Sequence, residues 1–154
     1  MEKSLQYLQD AEKIIRTLDH LIYVTFPIVK DKRLLLKITI EMKTAVASCI
    51  NAILQYEYLY KRIKLYQEPR ENLRTFMEKC APRYKITEED TNLIKELFQL
   101  AEAHKQSPME FVREEKIVIM SNSFHPHFLT IEKTKKFITM AKGVLSKAKK
   151  MFGS

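Results

Sequence analysis

The amino-acid sequence predicts an all-α protein, an antiparallel helical bundle with one long central helix. Three observations support this fold class: only two glycines and five prolines occur in 154 residues, apolar residues recur at three- and four-residue steps, and favoured N-cap residues precede several of these stretches. The length is that of one ordinary domain, and no linker or internal repeat divides it. We therefore expect residues 1–154 to form a single helical-bundle domain.

Two amphipathic segments fill the first part of the chain. The first covers residues 5–22 and is expected to end before Pro27, because proline disfavours a helical conformation in the residue before it. The second is expected to run from Asp31 to about Tyr66. At about 1.5 Å per residue such a helix is roughly 50 Å long.

This second helix has apolar residues on two sides. The main stripe can be buried in the bundle, and the opposite stripe includes Ile40, Ala47, Leu54 and Tyr58. The seven-residue steps from Ile40 to Ala47 to Leu54 suit a contact between helices. The second stripe needs a cover, from the same chain or from a second copy, and we infer a homodimer with this interface.

Shorter helical segments are expected after Pro69. One contains residues 73–80 and stops near Pro82. Another begins at Thr87, a hydroxyl followed three residues later by the carboxylate of Asp90, as in a capping box. It continues with apolar residues to His104.

The segment from Ser107 predicts a further helix, because a serine N-cap is followed by proline at the first helical position and by Glu110 at the third. This helix is expected to reach Ile117, although the β-branched residues 117–119 also suit an extended conformation. Residues 121–128 are rich in turn formers and predict a loop. Thr130 is a good N-cap for the final helix.

Positive charge is concentrated in that final helix. The chain carries a net charge of +8, and residues 131–154 contain seven lysines but a single acid, Glu132. Such a stripe attracts nucleic acid, an anionic membrane or an acidic protein, and charge alone does not choose among them. The candidate binding residues are Lys135, Lys136, Lys142, Lys149 and Lys150.

Several classes of function find no support in the sequence. Cys49 and Cys80 are too few for a disulfide framework and lie in apolar segments, which favours free thiols. The two glycines cannot build a phosphate-binding loop, and no cofactor is expected. No signal peptide or apolar run of about 18 residues is visible, so we expect a cytoplasmic protein without a membrane segment.

Histidines and tyrosines form the remaining candidate sites. His125 and His127 could share a metal ion, but a metal site normally needs three or four ligands, so none is predicted. Four tyrosines at positions 56, 58, 60 and 66 lie among the basic residues Lys61, Arg62, Lys64 and Arg70, a mixture that can bind nucleic acid. Alternate residues point to different faces of a helix, which favours core and interface packing instead.

The order of elements between residues 43 and 150 resembles the HEPN domain family. The features that carry this resemblance are the small-residue helix 45–52, the aromatic stretch after it, the segment 73–80, a helix pair through Arg113, and the helix entry at 129–136. The resemblance implies a small helical bundle that dimerises. Active members of the family are ribonucleases in which an arginine is followed, four to six residues later on the same helix, by a histidine.

That catalytic pair is missing from this sequence. The arginine in the equivalent helix is Arg113, and Val118, Ile119 and Met120 occupy the positions where histidine is expected. The resemblance therefore implies a non-catalytic binding or regulatory member, with nucleic acid or a nucleotidyltransferase-type protein as its partner. Two alternatives remain: a ribonuclease in which Arg113 works with His125 or His127, and a purely structural oligomer.

Overall fold

A computed structural model of the protein describes residues 1–107, 109–121 and 125–153. Within them, helices form most of the structure and a small antiparallel sheet is inserted before the last helix. The elements in chain order are α1 (Glu2–His20), a π-helical turn (Leu21–Thr25), α2 (Phe26–Val29), α3 (Lys32–Leu59), α4 (Pro69–Thr75), a second π-helical turn (Phe76–Cys80), α5 (Ala81–Arg83), α6 (Glu88–Gln106), β1 (Met109–Arg113), β2 (Lys116–Met120), β3 (Pro126–Leu129) and α7 (Ile131–Phe152).

The core forms around α3, against which α1, α6 and α7 pack. The predicted main stripe is buried from Leu35 to Tyr56, where Ile38, Met42 and Ile53 are fully enclosed, but Tyr60 beyond the end of α3 is half exposed. Leu18 of α1 and Phe137 of α7 are fully buried against it. The amphipathic pattern therefore predicted the central helix and its buried face correctly.

Three helices begin at the N-cap residue that the sequence predicts. The side chains of Asp31, Thr87 and Thr130 each accept a hydrogen bond from a backbone N–H two or three residues later, at 3.0, 3.1 and 3.1 Å. These bonds satisfy donors that have no partner inside the first turn of a helix. The predicted starts of α3, α6 and α7 are confirmed.

Pro27 does not end the first helix, contrary to the prediction. The backbone widens into a π-helical turn at Leu21–Thr25 and then continues through Pro27 to Val29. A second π-helical turn, Phe76–Cys80, precedes Pro82 in the same way. A proline ring clashes with the carbonyl four residues earlier in a regular helix, and the wider turn gives that carbonyl room.

The central helix ends at Leu59, earlier than the predicted end at Tyr66. Lys61 adopts a left-handed backbone conformation with φ 60°. Its N–H donates to the carbonyl of Tyr58, and the N–H of Arg62 donates to the carbonyl of Glu57. This is a Schellman ending, which usually has glycine in the left-handed position.

The helix predicted from Ser107 is wrong, because residues 109–120 form the hairpin of β1 and β2. The single proton of the Ser107 hydroxyl is shared between the carbonyls of Met109 and Met120, 2.6 and 2.8 Å from its oxygen, and so joins the open ends of the two strands. Phe111 and the β-branched residues of β2 suit a strand, as the alternative interpretation of residues 117–119 allowed. The predicted loop at 121–128 is also partly a strand, since β3 begins at Pro126; residues 122–124 lie outside the described residues.

The sheet has the order β1-β2-β3, with every neighbouring pair antiparallel. One face packs on the bundle through Ile117, Ile119 and Leu129, which belong to the core. Side chains alternate between faces along a strand, so the residues between them point away from the bundle. The pure helical bundle predicted from the sequence is therefore a helical bundle with an added three-stranded sheet.

Candidate functional site

Many of the α7 lysines bind acids on neighbouring helices. Two of them pair with α1 and two with α6, at positions that repeat along both flanks of α7. The pairs are Lys142 with Asp19, Lys149 with Glu12, Lys133 with Glu96 at 3.0 Å, and Lys147 with Asp90 at 3.9 Å. Part of the charge that predicted a binding stripe therefore holds the bundle together.

The five predicted binding lysines do not form one continuous surface. Lys135 and Lys136 are exposed near the start of α7, where the Lys135 ammonium lies 5.6 Å from the ring centre of Tyr23. Lys149 and Lys150 are in the last turn of the helix. At about 1.5 Å per residue, the two groups are roughly 20 Å apart.

The end of α7 packs against the end of α3. The rings of Phe152 and Tyr56 stack with centres 4.3 Å apart, and Tyr60 lies 4.8 Å from Tyr56. On the other side of α7, the Lys147 ammonium donates to the carbonyl of Lys85 at 2.9 Å. Basic residues that are far apart in sequence therefore meet at one end of the bundle.

We call this surface the basic end. Its basic side chains come from the residues after α3, from the end of α5 and from the last turns of α7. It comprises Tyr58, Tyr60, Lys61, Arg62, Lys64, Arg83, Lys85, Lys147, Lys149 and Lys150. Eight of these residues are basic. Five acids lie beside them: Glu12, Glu57 and Asp90, which contact basic side chains, and Glu88 and Glu89, the first two residues of α6. Among these residues, positive charges exceed negative charges by three.

A buried carboxylate organises the basic end. Glu57, in the last turn of α3, has a side chain that is only 1% exposed. It accepts hydrogen bonds from Arg62 at 2.9 Å and from the Tyr84 hydroxyl at 3.2 Å, and it forms a salt bridge with Arg83 at 3.0 Å. Bonds from charged donors are among the strongest in proteins, so Glu57 fixes both guanidinium groups at the protein surface.

This cluster was not predicted from the sequence. Glu57 stands four residues after Ile53 in the buried stripe of α3, and an acid at such a position is a signal for a buried ion pair. Burial, with the nearby Glu57 charge as a second cause, raises the pKa of the Tyr84 hydroxyl, which therefore stays a donor. Burial likewise raises the pKa of the neighbouring Cys80 thiol to about 12.

Three of the four tyrosines noted in the sequence are exposed. Tyr56 is buried, as the packing interpretation predicts, but Tyr58, Tyr60 and Tyr66 are each about half exposed. The Arg62 guanidinium lies 5.0 Å from the ring centre of Tyr60, a cation–π contact. Within one chain only Tyr56 is therefore a core residue, and interface packing of the other three stays a prediction.

The predicted dimer interface follows the outer side of α3. Leu54 is buried within its own chain, Ile40 and Ala47 are partly buried, and Tyr58 is exposed. Ala47 and Leu54 line a cleft of about 560 Å³ that is also bordered by Phe98 of α6. The same chain thus covers part of the second stripe, and dimerisation through the remainder stays a prediction.

The sheet keeps the alternative ribonuclease residues apart within one chain. Arg113 ends β1, and His127 pairs with Ile119 in the middle of the sheet. The two residues are three positions apart along the strands and two strands apart, about 14 Å between backbones. By the alternation of the strands, Arg113 points away from the bundle and His127 towards it; His125 lies just before β3 and is exposed.

Neither a metal centre nor a membrane-spanning helix is found among residues 1–107, 109–121 and 125–153. In that part of the chain, no group of three or more His, Cys, Asp or Glu side chains is arranged to hold a metal ion. Of the helices described there, none combines the length and the apolar character needed to cross a bilayer. Comparison of the chain with protein-family models and with curated proteins gives no match.

Proposed function

We propose that this protein is a non-catalytic RNA-binding module and that the basic end is its binding surface. The observation that carries the proposal is the exposed ring of Tyr60 beside the Arg62 guanidinium, which Glu57 holds in place. Exposed rings stack on bases, and basic side chains neutralise phosphates. The basic end combines both kinds of group on one surface.

This proposal changes the role of α7. Lys149 and Lys150 contribute to the surface because the last turn of α7 meets the end of α3. Lys149 is paired with Glu12 and Lys142 with Asp19, but Lys142 lies about two turns before Lys149, and Lys135 and Lys136 lie towards the opposite end of the helix. Binding is therefore assigned to one end of the bundle and not to the whole stripe of α7.

A charge-matched pair of variants tests the assignment. The test variant carries K61N, K64Q, K85N and K150Q, and the control carries K30N, K37Q, K135Q and K136Q; every lysine replaced is exposed. Lys30, Lys61 and Lys85 have positive φ, which asparagine tolerates. Both variants lower the net charge from +8 to +4, so only the position of the lost charge differs.

The assay is the binding of a fluorescein-labelled 12-nucleotide RNA, followed by anisotropy at several salt concentrations. We expect the test variant to bind more weakly and the slope of log K against log salt to fall by up to about 3, at ~0.7 per phosphate contact of a single strand. The control should stay close to the wild type. Equal losses in both variants would show that net charge, not the basic end, drives binding.

The RNA is recovered after each titration and examined on a denaturing gel. Intact RNA is expected, because the arginine and histidine pair of active HEPN ribonucleases is absent from the sequence. Cleavage that disappears in a His127→Ala variant would support the ribonuclease alternative and overturn the non-catalytic proposal. Absence of RNA binding at any salt concentration would favour a protein partner or a structural assembly.

A further inference from the structure

The outer face of the small sheet carries a row of apolar side chains that the basic end does not use. Phe111, Val118 and Phe128 are direct partners across the three strands. Val118 is only 4% exposed, although it is not part of the bundle core. Phe111 and Phe128, its partners on the two flanking strands, are 38% and 50% exposed.

Basic residues lie beside this aromatic row. Arg113 and Lys116 are cross-strand partners on the same outer face, next to the row. The Lys116 ammonium lies 5.3 Å from the ring centre of Phe128. Among the described strand residues that alternate onto this face there is no acid, since the others are Met109, Met120 and Pro126.

The size of the face limits what can cover it. Three strands spaced by about 4.8 Å, two of five residues and one of four, present roughly 220 Å² when each residue rises about 3.3 Å. A stable protein interface buries about 800 Å² on each partner. The face is therefore too small to hold a second copy or a folded partner by itself, but it is large enough for a few unpaired bases.

We propose that this face binds single-stranded RNA by stacking unpaired bases on Phe111 and Phe128. The rings are two strand spacings apart, about 10 Å, so they receive separate bases. Arg113 and Lys116 supply the charge that complements the phosphates. Aromatic rings on the surface of a sheet are an established way of binding unpaired bases, and a duplex cannot offer its bases in this way.

This inference shares its ligand class with the proposed function but stands on a different surface. It therefore needs a measurement that is local to the sheet. A methyl NMR titration meets this need, because the Val118 and Met109 methyl groups lie on the outer face and those of Ile117 and Ile119 on the inner face. The probes are a 12-nucleotide oligouridine, the same length of RNA duplex, and vesicles of anionic phospholipid.

We expect oligouridine to shift the Val118 and Met109 signals in a saturable way, and the duplex and the vesicles to leave them in place. The double variant F111L/F128L keeps an apolar cover over Val118 but removes the rings. It should weaken the binding measured at the sheet by about tenfold or more, with the inner-face methyl signals unchanged as evidence of folding. The matched control Y23L removes an exposed ring outside the sheet and should not weaken the binding measured at the sheet.

The outcomes separate the two proposals. The inference is overturned if the outer-face methyl signals do not move with oligouridine, if they respond equally to the duplex, or if they respond to vesicles instead. Unchanged binding by F111L/F128L would also overturn it. If K61N/K64Q/K85N/K150Q loses RNA binding while the sheet signals never respond, the proposed function stands and this inference fails. If the sheet responds and that lysine variant binds RNA like the wild type, the inference stands and the proposed function fails.

Discussion

The buried carboxylate of Glu57 leads to a prediction about stability. Glu57→Gln keeps the size of the side chain and removes the charge that holds two guanidinium groups. Arg62 and Arg83 are 36% and 43% exposed, so water replaces part of what they lose. We expect this variant to lose about 2 kcal/mol of unfolding free energy, the net worth of hydrogen bonds to one charged group.

The reverse perturbation should be more damaging. In the double variant R62Q/R83Q the carboxylate remains 1% exposed, while the cations that compensate it are gone. A buried charge that loses its partners typically destabilises a protein by about 3–5 kcal/mol. For a protein of this size, each kcal/mol lowers the melting temperature by about 2–4 °C, so the double variant should melt about 6–20 °C below the wild type.

Urea denaturation followed by circular dichroism measures both losses. The matched control is R16Q/R74Q, because Arg16 and Arg74 are 76% and 66% exposed and their ion pairs should contribute within about 0.5 kcal/mol. We expect R62Q/R83Q to be clearly less stable than Glu57→Gln. If the two are equally stable, the buried carboxylate does not depend on its guanidinium partners.

Three further predictions concern the thiols, a helix cap and an ion pair. Burial raises the pKa of both Cys49 and Cys80 to about 12, so Ellman's reagent at pH 8 should label them only after unfolding by urea. Thr130→Ala removes the N-cap of α7 and should lower stability by about 1 kcal/mol in urea denaturation, whereas Thr130→Ser should not. The hydrogen bond from Lys149 lowers the pKa of Glu12 in the folded protein. The pair therefore stabilises the protein at pH values above the ordinary carboxyl pKa, and this stabilisation is lost as the pH falls through the pKa of folded Glu12. A double-mutant cycle at pH 7 and pH 3 measures the loss.

Local signals in the sequence predicted the central helix and several helix starts. The buried stripe of α3 and the caps Asp31, Thr87 and Thr130 depend on residues within one or two turns of each other. The start signal at Ser107 was misleading because it also depends only on neighbouring residues. Its hydroxyl donates to Met120, thirteen residues away, a contact that no local pattern reveals.

The basic end could be predicted only in part. Lysine enrichment in α7 identified Lys149 and Lys150, but the contribution of Arg83 depends on the way in which α5 packs beside the end of α3. The exposure of Tyr60 depends on the early end of α3, and that end lacks the glycine by which such a turn is usually recognised. Long-range packing, not composition, assembles this surface.

Lysines with a left-handed backbone conformation lower the stability of the protein, and two of them supply charge for the proposed RNA binding. Lys30, Lys61 and Lys85 occupy positions after helices where glycine would relieve a strain of about 1 kcal/mol each. Glycine at 61 or 85 should therefore make the protein more stable and a weaker RNA binder, whereas glycine at 30, far from the basic end, should bring stability without that loss. Selection for thermal stability alone would therefore replace lysine by glycine at positions 61 and 85 and weaken the proposed RNA binding. If RNA binding is selected as well, lysine should persist at both positions, and its frequency would measure the contribution of the charge to binding.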